Sequence, residues 1–396
     1  MGQNKAPETE LDELLSQDIS SIIELERTAF DQLVEPFGKM LVLFGAGNLG
    51  RQVLSRLRQD GIEPLAFSDN NPVLWGCFID GLQVLPPPEA AKNYGLTSAF
   101  VVTIWNTDHS FVRTRQQLLK LGCTKVVSVV ALRWKYAETF LPFFWAELPS
   151  KTYKQRELIK SAFSLWSDEY SRREYLAQLK WRLFGDFDTL SAPVLQESYF
   201  PDDLFNLQSN ESFVDCGAYD GITLRSFLKR QEIFYGRIMA FEPDPINFSR
   251  LQTYISSLSA DTINKLLTLP FAVGAKRAKV RFEATASLGS CMSDNGSIEV
   301  DCVTLDDIMR EYKFLPTYIK MDIEGSELDA LAGARTLIEK HAPVLAVCVY
   351  HRYDDLWRIP LLIQSLTNKY HLSLRPHEIE GWQLVCYAIP DMRIKK

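Results

Sequence analysis

Two glycine turns, each followed by an acid roughly 20 residues on, and one cluster of acids with a histidine are where this chain could do chemistry. FVDCGAYDG, Phe213–Gly221, is a glycine-rich turn after an apolar run, and Phe241-Glu242-Pro243-Asp244 follows about 20 residues later. Asp215 and Asp220 flank that turn and would repel a pyrophosphate, so a cofactor without phosphates fits better. S-adenosylmethionine is one: Glu242, at the end of a second strand, can accept from both ribose hydroxyls. Nearby acids and carbonyls can meet the ammonium and sulfonium, and an apolar slot can take the adenine. The alternative makes Asp215, Asp220 and Glu242 ordinary loop and cap residues.

Methyl transfer from a sulfonium is an in-line displacement, so the acceptor oxygen must be held behind the methyl. An alcohol must lose its proton as the bond forms, which calls for a general base or a metal. Asp322, Glu324 and His351 are the candidates. Asp322 falls at the carboxyl end of an expected strand, the edge where ligands collect in open α/β sheets. Gly325 permits a sharp turn that would aim Glu324 into the cleft, and His351 follows the next strand. Glu324 could instead cap the helix starting near Ser326, Asp322 could bind the turn amides or the cofactor, and His351 with Arg352 could be a surface pair. The three offer hard oxygens and one imidazole, which suit magnesium or manganese only weakly. Nothing in the spacing demands an ion, and no metal is expected.

The other turn is GAGNLG, Gly45–Gly50, between an apolar run and a helical pattern, with Asp69 about 24 residues beyond Gly45. Gly45, Gly47 and Gly50 would admit a pyrophosphate onto a helix N-terminus, and Asp69 could accept from ribose hydroxyls. NAD or a nucleotide sugar would suit this site. The domain around it is barely more than half a dinucleotide fold, so a retained scaffold is the competing reading.

The elements that must position these residues follow from periodicity. Residues 1–37 carry one or two short helices. Residues 38–132 form a Rossmann-like open sheet domain, with strands at Lys39–Phe44, Pro64–Phe67, Ala99–Ile104 and Lys125–Val130, and a loop rich in Asn, Gly and Pro after Asp69. Residues 133–190 read as a helical connector that fixes two α/β units. In residues 191–396, strands are expected at Ser212–Cys216, Arg237–Phe241, Thr268–Val273, Thr317–Met321 and Val344–Val349, with a hairpin at Lys279–Glu283 and Ser297–Cys302. Helices are expected at Glu327–Glu339 and Ile359–Thr367, the latter with Pro360 in its first turn. Tyr370–Leu374 and Gln383–Ala388 are joined by too few residues for a helical crossover, so they should pair antiparallel.

This second unit resembles the FkbM family of S-adenosylmethionine-dependent methyltransferases. The resemblance rests on VDCGAYDGITL at Val214–Leu224, AFEPDP at Ala240–Pro245, VTLDDI at Val303–Ile308 and YIKMDIEGSELDALAGA at Tyr318–Ala334. VYHRYDDLWRIPLLI at Val349–Ile363 and LVCYAIP at Leu384–Pro390 resemble the family's last part. It implies a class I methyltransferase domain, a doubly wound, mostly parallel seven-stranded sheet with an antiparallel last strand. It also implies O-methylation of a sugar, glycan or natural-product hydroxyl. The cofactor is then expected at Asp215, Gly217, Tyr219, Asp220, Gly221, Thr223, Glu242, Pro243 and Asp322. The front domain looks like the small Rossmann-like domain that some members carry. The competing functions are an oxidoreductase or nucleotide-sugar binder using the Gly45–Gly50 turn, a scaffold without catalysis, and a bifunctional enzyme.

Composition narrows the classes further. The 396 residues carry 43 Lys and Arg against 50 Asp and Glu, and the net charge of −7 does not suit general capture of nucleic acid. Seven cysteines without a close CxxC pair argue against a disulfide framework or a zinc knuckle. No apolar run reaches the length of a membrane span, and MGQNKA lacks the Ser or Thr of a myristoylation signal after Gly2. A cytoplasmic location is expected from missing export and membrane signals, and a homo-oligomer is open. Ser287-Leu288-Gly289-Ser290 could line a pocket or be a flexible loop, Trp357 and Trp382 could stack on a sugar or belong to the core, and Lys320 and Arg375 could meet an acidic acceptor or be ordinary surface charges. His341 reads as a helix cap, and His377 and Glu378 as turn surface.

Overall fold

The computed structural model describes residues 5–194, 197–230, 235–287 and 289–395, so Gly2 and Leu288 lie outside the described residues. The chain divides into two compact units, Met1–Arg156 with Leu176–Ser191, and Glu157–Tyr175 with Ala192–Lys396. Among the described residues no helix is long and apolar enough to cross a membrane.

Unit 1 starts with helices Pro7–Leu15 and Ile19–Val34. Its strands are β1 (Leu41–Phe44), β2 (Ala66–Ser68), β3 (Phe78–Ile79), β4 (Leu82–Leu85), β5 (Ala99–Val102) and β6 (Val126–Ser128), in sheet order β3-β4-β2-β1-β5-β6. All pair in parallel except β3 and β4, which form a hairpin. β1 and β5 are buried along their whole length, as a strand covered on both faces should be. The loop expected after Asp69 holds two regular pieces. Asp80 and Gly81, both at positive φ, turn the β3–β4 hairpin, an Asp-Gly signal of the two-residue turn. Pro87 and Pro88 open the helix Pro87–Tyr94, where missing N–H groups cost nothing.

Unit 2 contains β7 (Phe213–Cys216), β8 (Ile238–Phe241), β9 (Leu266–Leu269), β10 (Ala272–Val273), β11 (Ala278–Glu283), β12 (Cys291–Met292), β13 (Ile298–Val303), β14 (Tyr318–Met321), β15 (Val344–Cys348), β16 (Tyr370–Pro376) and β17 (Leu384–Pro390). Seven of them form a sheet in the order β16-β17-β15-β14-β7-β8-β9. The five strands from β15 to β9 run parallel, and β17 lies antiparallel between β15 and β16. The expected parallel block with an antiparallel closing strand is therefore present. The order reverses between β14 and β7, which opens a crevice at their carboxyl ends. The small sheet β10-β13-β11-β12 stands apart from this one.

Three expected elements differ in detail. Thr268–Val273 is not one strand: Pro270 has no N–H for the ladder, and the chain leaves β9 for β10 in the other sheet. Glu327–Glu339 breaks into helices Glu327–Ala332 and Arg335–His341 around Gly333. The last helix starts at Asp355, so Pro360 sits inside it rather than in its first turn.

Candidate active site

The turn after β7 is shaped by contact with β14. Gly217 has φ +83, and a Cβ there would stand 1.9 Å from the carbonyl oxygen of Asp322. Only glycine lets the two strand ends approach this closely. Tyr219, also at positive φ, turns its N–H to Glu242 Oε2 at 2.7 Å, and the Asp244 N–H donates to Glu242 Oε1 at 2.9 Å. Glu242 is buried, and that burial pushes its carboxyl up to about 7, against the pull of these two N–H donors.

Asp215 and Lys320 face each other across β7 and β14, with Nζ 2.9 Å from Oδ1 and both side chains buried. Lys320 also donates to the carbonyl of Gly217 at 2.6 Å. Burial alone would lower the Lys320 ammonium, but Asp215 and Asp322 outweigh it and keep it charged. Lys320 is thus a buried strut of the turn and not a surface cation for an acceptor. Arg375 is likewise committed, to Asp168 and Asp203.

One pocket collects the carboxyl ends of these strands. It holds about 600 Å³ of empty space, its mouth included, and Gly217, Tyr219, Glu242, Pro243, Asp322 and Glu324 border it. Phe271, Phe282 and Met292 supply an apolar wall, with Ser287 and Ser290 beside them. Asp244 ties that wall down: Oδ2 accepts from the Ala286 N–H at 3.0 Å and the Ser290 hydroxyl at 2.8 Å, while Oδ1 caps the helix Pro245–Ile255. Asp215, Asp220, Gly221, Thr223 and His351 do not border the pocket. Asp220 pairs with Arg225 at 3.1 Å, Gly221 packs under Tyr254 and Leu251, and Thr223 is buried in the following helix.

Asp322, Glu324 and His351 come together at the far side. His351 Nε2 stands 3.3 Å from Asp322 Oδ1 and 3.5 Å from Glu324 Oε1, and Nδ1 is 2.8 Å from Glu327 Oε1. Glu324 has φ +54, a strained value for a non-glycine residue that places its carboxylate here. His351 is buried, so it is not a surface pair with Arg352. Burial would lower its imidazole, but Glu327 and Glu324 outweigh that and hold it well above the usual histidine range. Burial raises Glu324, only partly offset by His351. Asp322 goes the other way, because Lys320 and His351 outweigh its burial, and it accepts from the Tyr199 hydroxyl at 2.7 Å. Sequence reasoning missed Tyr199, Asp244 and Glu327. Glu327 lay in the DIEGSE stretch, three residues past Glu324, whereas nothing local marked Tyr199.

Trp357 and Trp382 take the core alternative. His377 is buried against the Tyr387 hydroxyl at 2.7 Å, not turn surface.

In unit 1 the Gly45–Gly50 turn is tight: a Cβ on Gly50 would sit 2.0 Å from the Gly45 carbonyl oxygen, while Gly47 faces open space. Asp69 uses Oδ2 to accept from the Ala46 N–H and Oδ1 to accept from the Asn71 N–H, each at 2.8 Å. It holds the turn closed.

The sheet order of unit 2, with a pocket at the switch between β14 and β7, defines a class I methyltransferase fold. Residues 215–372 match the methyltransferase FkbM domain, and a Rossmann-like sheet precedes them in the sequence. The match supports S-adenosylmethionine-dependent methyltransferase activity. The chain also superposes on the crystal structure of methyltransferase FkbM from Methylobacillus flagellatus KT, with a TM-score of 0.73 and 22% identity over 96% of this chain and 97% of that one. At that identity the likeness speaks for the fold. UDP-D-quinovosamine 4-dehydrogenase from Vibrio fischeri covers 22% of this chain and 75% of its own at 23% identity, but a TM-score of 0.19 carries no argument. No curated protein matches the chain.

Proposed function

We propose that the protein transfers the methyl group of S-adenosylmethionine to a hydroxyl of a sugar, glycan or natural-product acceptor. The observation that carries this reading is a single pocket with Glu242 at one end and Asp322 and Glu324 at the other. Glu242 has lone pairs left for the ribose diol after its two backbone bonds, and the apolar wall suits adenine. Gly217, Tyr219 and Pro243 would contact the cofactor. Asp215, Asp220, Gly221 and Thr223 would act on it through the shape of the turn.

In the transfer, the carbon–sulfur bond breaks as the oxygen–carbon bond forms. Sulfur keeps the electron pair and leaves as S-adenosylhomocysteine. The hydroxyl proton goes to Glu324, whose carboxyl is raised above the ordinary glutamate range by burial and so is a better proton acceptor than an exposed one. His351, held by Glu327, faces Glu324 at 3.5 Å and Asp322 at 3.3 Å, and Asp322 is held by Tyr199.

Calorimetric titration with S-adenosylhomocysteine tests the cofactor half. Saturable binding is expected, weakened roughly 10-fold or more in Glu242→Ala, the loss of hydrogen bonds to a charged group. No binding to folded wild-type protein would overturn the reading. Radiolabelled S-adenosylmethionine with a panel of hydroxylated acceptors tests the other half. The alternative places NAD or a nucleotide sugar at Gly45, Gly47, Gly50 and Asp69; titrating both ligands in parallel discriminates.

A further inference from the structure

We propose that Asp322, Glu324 and His351 hold a divalent cation of the magnesium or manganese type at the acceptor end of the pocket. This deepens the methyltransferase reading and rests on it. One donor atom from each of the three residues lies within 4.8 Å of the other two. Ligands about 2.1 Å from a shared octahedral centre stand roughly 3 Å apart at neighbouring positions. The separations of 3.3 and 3.5 Å from His351 Nε2 to the two carboxylates are close to that before any ion draws them in.

The surroundings are those of a ligand set rather than of a chance cluster. Metal-binding imidazoles are oriented by a carboxylate on their other nitrogen. Glu327 does this at His351 Nδ1, and is itself fixed by the Ile323 N–H at 2.9 Å. Asp322 is oriented in the same way by the Tyr199 hydroxyl at 2.7 Å, leaving Oδ1 toward His351. The three ligands come from different places: the end of β14, the strained turn after it, and the loop after β15. Three protein ligands leave octahedral positions for water and an acceptor oxygen, and Asp322 and Glu324 face the pocket where that oxygen would enter. A bound ion would draw the hydroxyl oxygen in and ease loss of its proton to the Glu324 oxygen that does not hold the ion.

The test is titration of the full chain with MnCl2, followed by the electron paramagnetic resonance of free Mn²⁺, with S-adenosylhomocysteine calorimetry on the same samples. One Mn²⁺ per chain is expected, with affinity falling at least 10-fold in Glu324→Gln and in His351→Ala. Electron spin-echo modulation on the wild type should show a directly bound imidazole nitrogen, a readout that needs no variant to fold. Absence of Mn²⁺ binding, binding without the nitrogen signal, or binding unchanged in folded variants would each overturn the proposal. Intact S-adenosylhomocysteine binding alongside any of these would leave the cofactor reading standing, and its loss in the wild type would remove that reading separately.

Discussion

Glu242 is the residue on which the proposed cofactor site turns, and its ionisation gives a signed prediction. Its carboxyl sits near 7 because it is buried, well above an exposed glutamate. A carboxylate can accept from both ribose hydroxyls, whereas the protonated form loses one acceptor. Affinity for S-adenosylhomocysteine is therefore expected to fall as pH drops from 8 to 6, by roughly 3- to 10-fold, and Glu242→Gln should bind more weakly with a flat profile. Calorimetry at four pH values checks this, and a steep profile in the glutamine variant would contradict it. Stability of the unliganded protein should move the opposite way through this group. The folded state holds a proton between about 4.5 and 7 that the unfolded chain has released, so this contribution favours folding as pH falls through that window. At this scale the sequence was half legible. Asp322, Glu324 and Glu242 could be placed because they stand at strand ends, and His351 because it follows the next one. The partner of Asp215 was not legible, since acid beside a glycine turn looks the same whether it meets a ligand or a lysine on the neighbouring strand.

The strands matter because they carry that lysine. Asp215 and Lys320 are opposite partners in β7 and β14, a register that no local spacing reveals. Lys320→Met is expected to destabilise the protein by about 3–5 kcal/mol, because Asp215 would remain buried without its partner. Exchanging both, Asp215→Leu with Lys320→Met, should recover much of the loss, and chemical denaturation of the three variants measures it. Gly217→Ala attacks the same junction from the backbone. Its methyl would meet the Asp322 carbonyl at 1.9 Å and its φ of +83 is unfavourable for alanine, so roughly 2–4 kcal/mol should be lost. Urea denaturation should register that loss; unchanged stability would show that the strand ends can part. Apolar runs, glycine turns and short connections made the parallel block and the antiparallel β17 legible. What escaped depended on single residues: Pro270 moving the chain between sheets, Asp80-Gly81 closing a hairpin, and Gly333 breaking a helix.

For the whole molecule, two glycine turns of similar design occur in separate compact units, each closed by an acid at the end of the next strand. Asp69 binds the Ala46 N–H much as Glu242 binds the Tyr219 N–H. The resemblance in sequence did not reveal that the Phe213–Gly221 turn borders a pocket with further acids, which is a property of what the rest of unit 2 brings to the strand ends. Asp69 bonds only within unit 1 and Glu242 only within unit 2, so the two share no partner. Changes at such sites should add rather than couple. Asp69→Asn is expected to cost about 1–2 kcal/mol of stability through weaker bonds to two backbone N–H groups, and to leave S-adenosylhomocysteine affinity within about 2-fold of wild type, less than half the tenfold step of 1.4 kcal/mol. Glu242→Gln should lower that affinity by the same factor whether or not Asp69 is intact. A double-mutant cycle read by calorimetry and thermal unfolding measures both quantities. A coupling above about 0.5 kcal/mol in cofactor affinity would show that the front turn acts on the methyltransferase pocket, and would make unit 1 a participant in catalysis instead of an independently built neighbour.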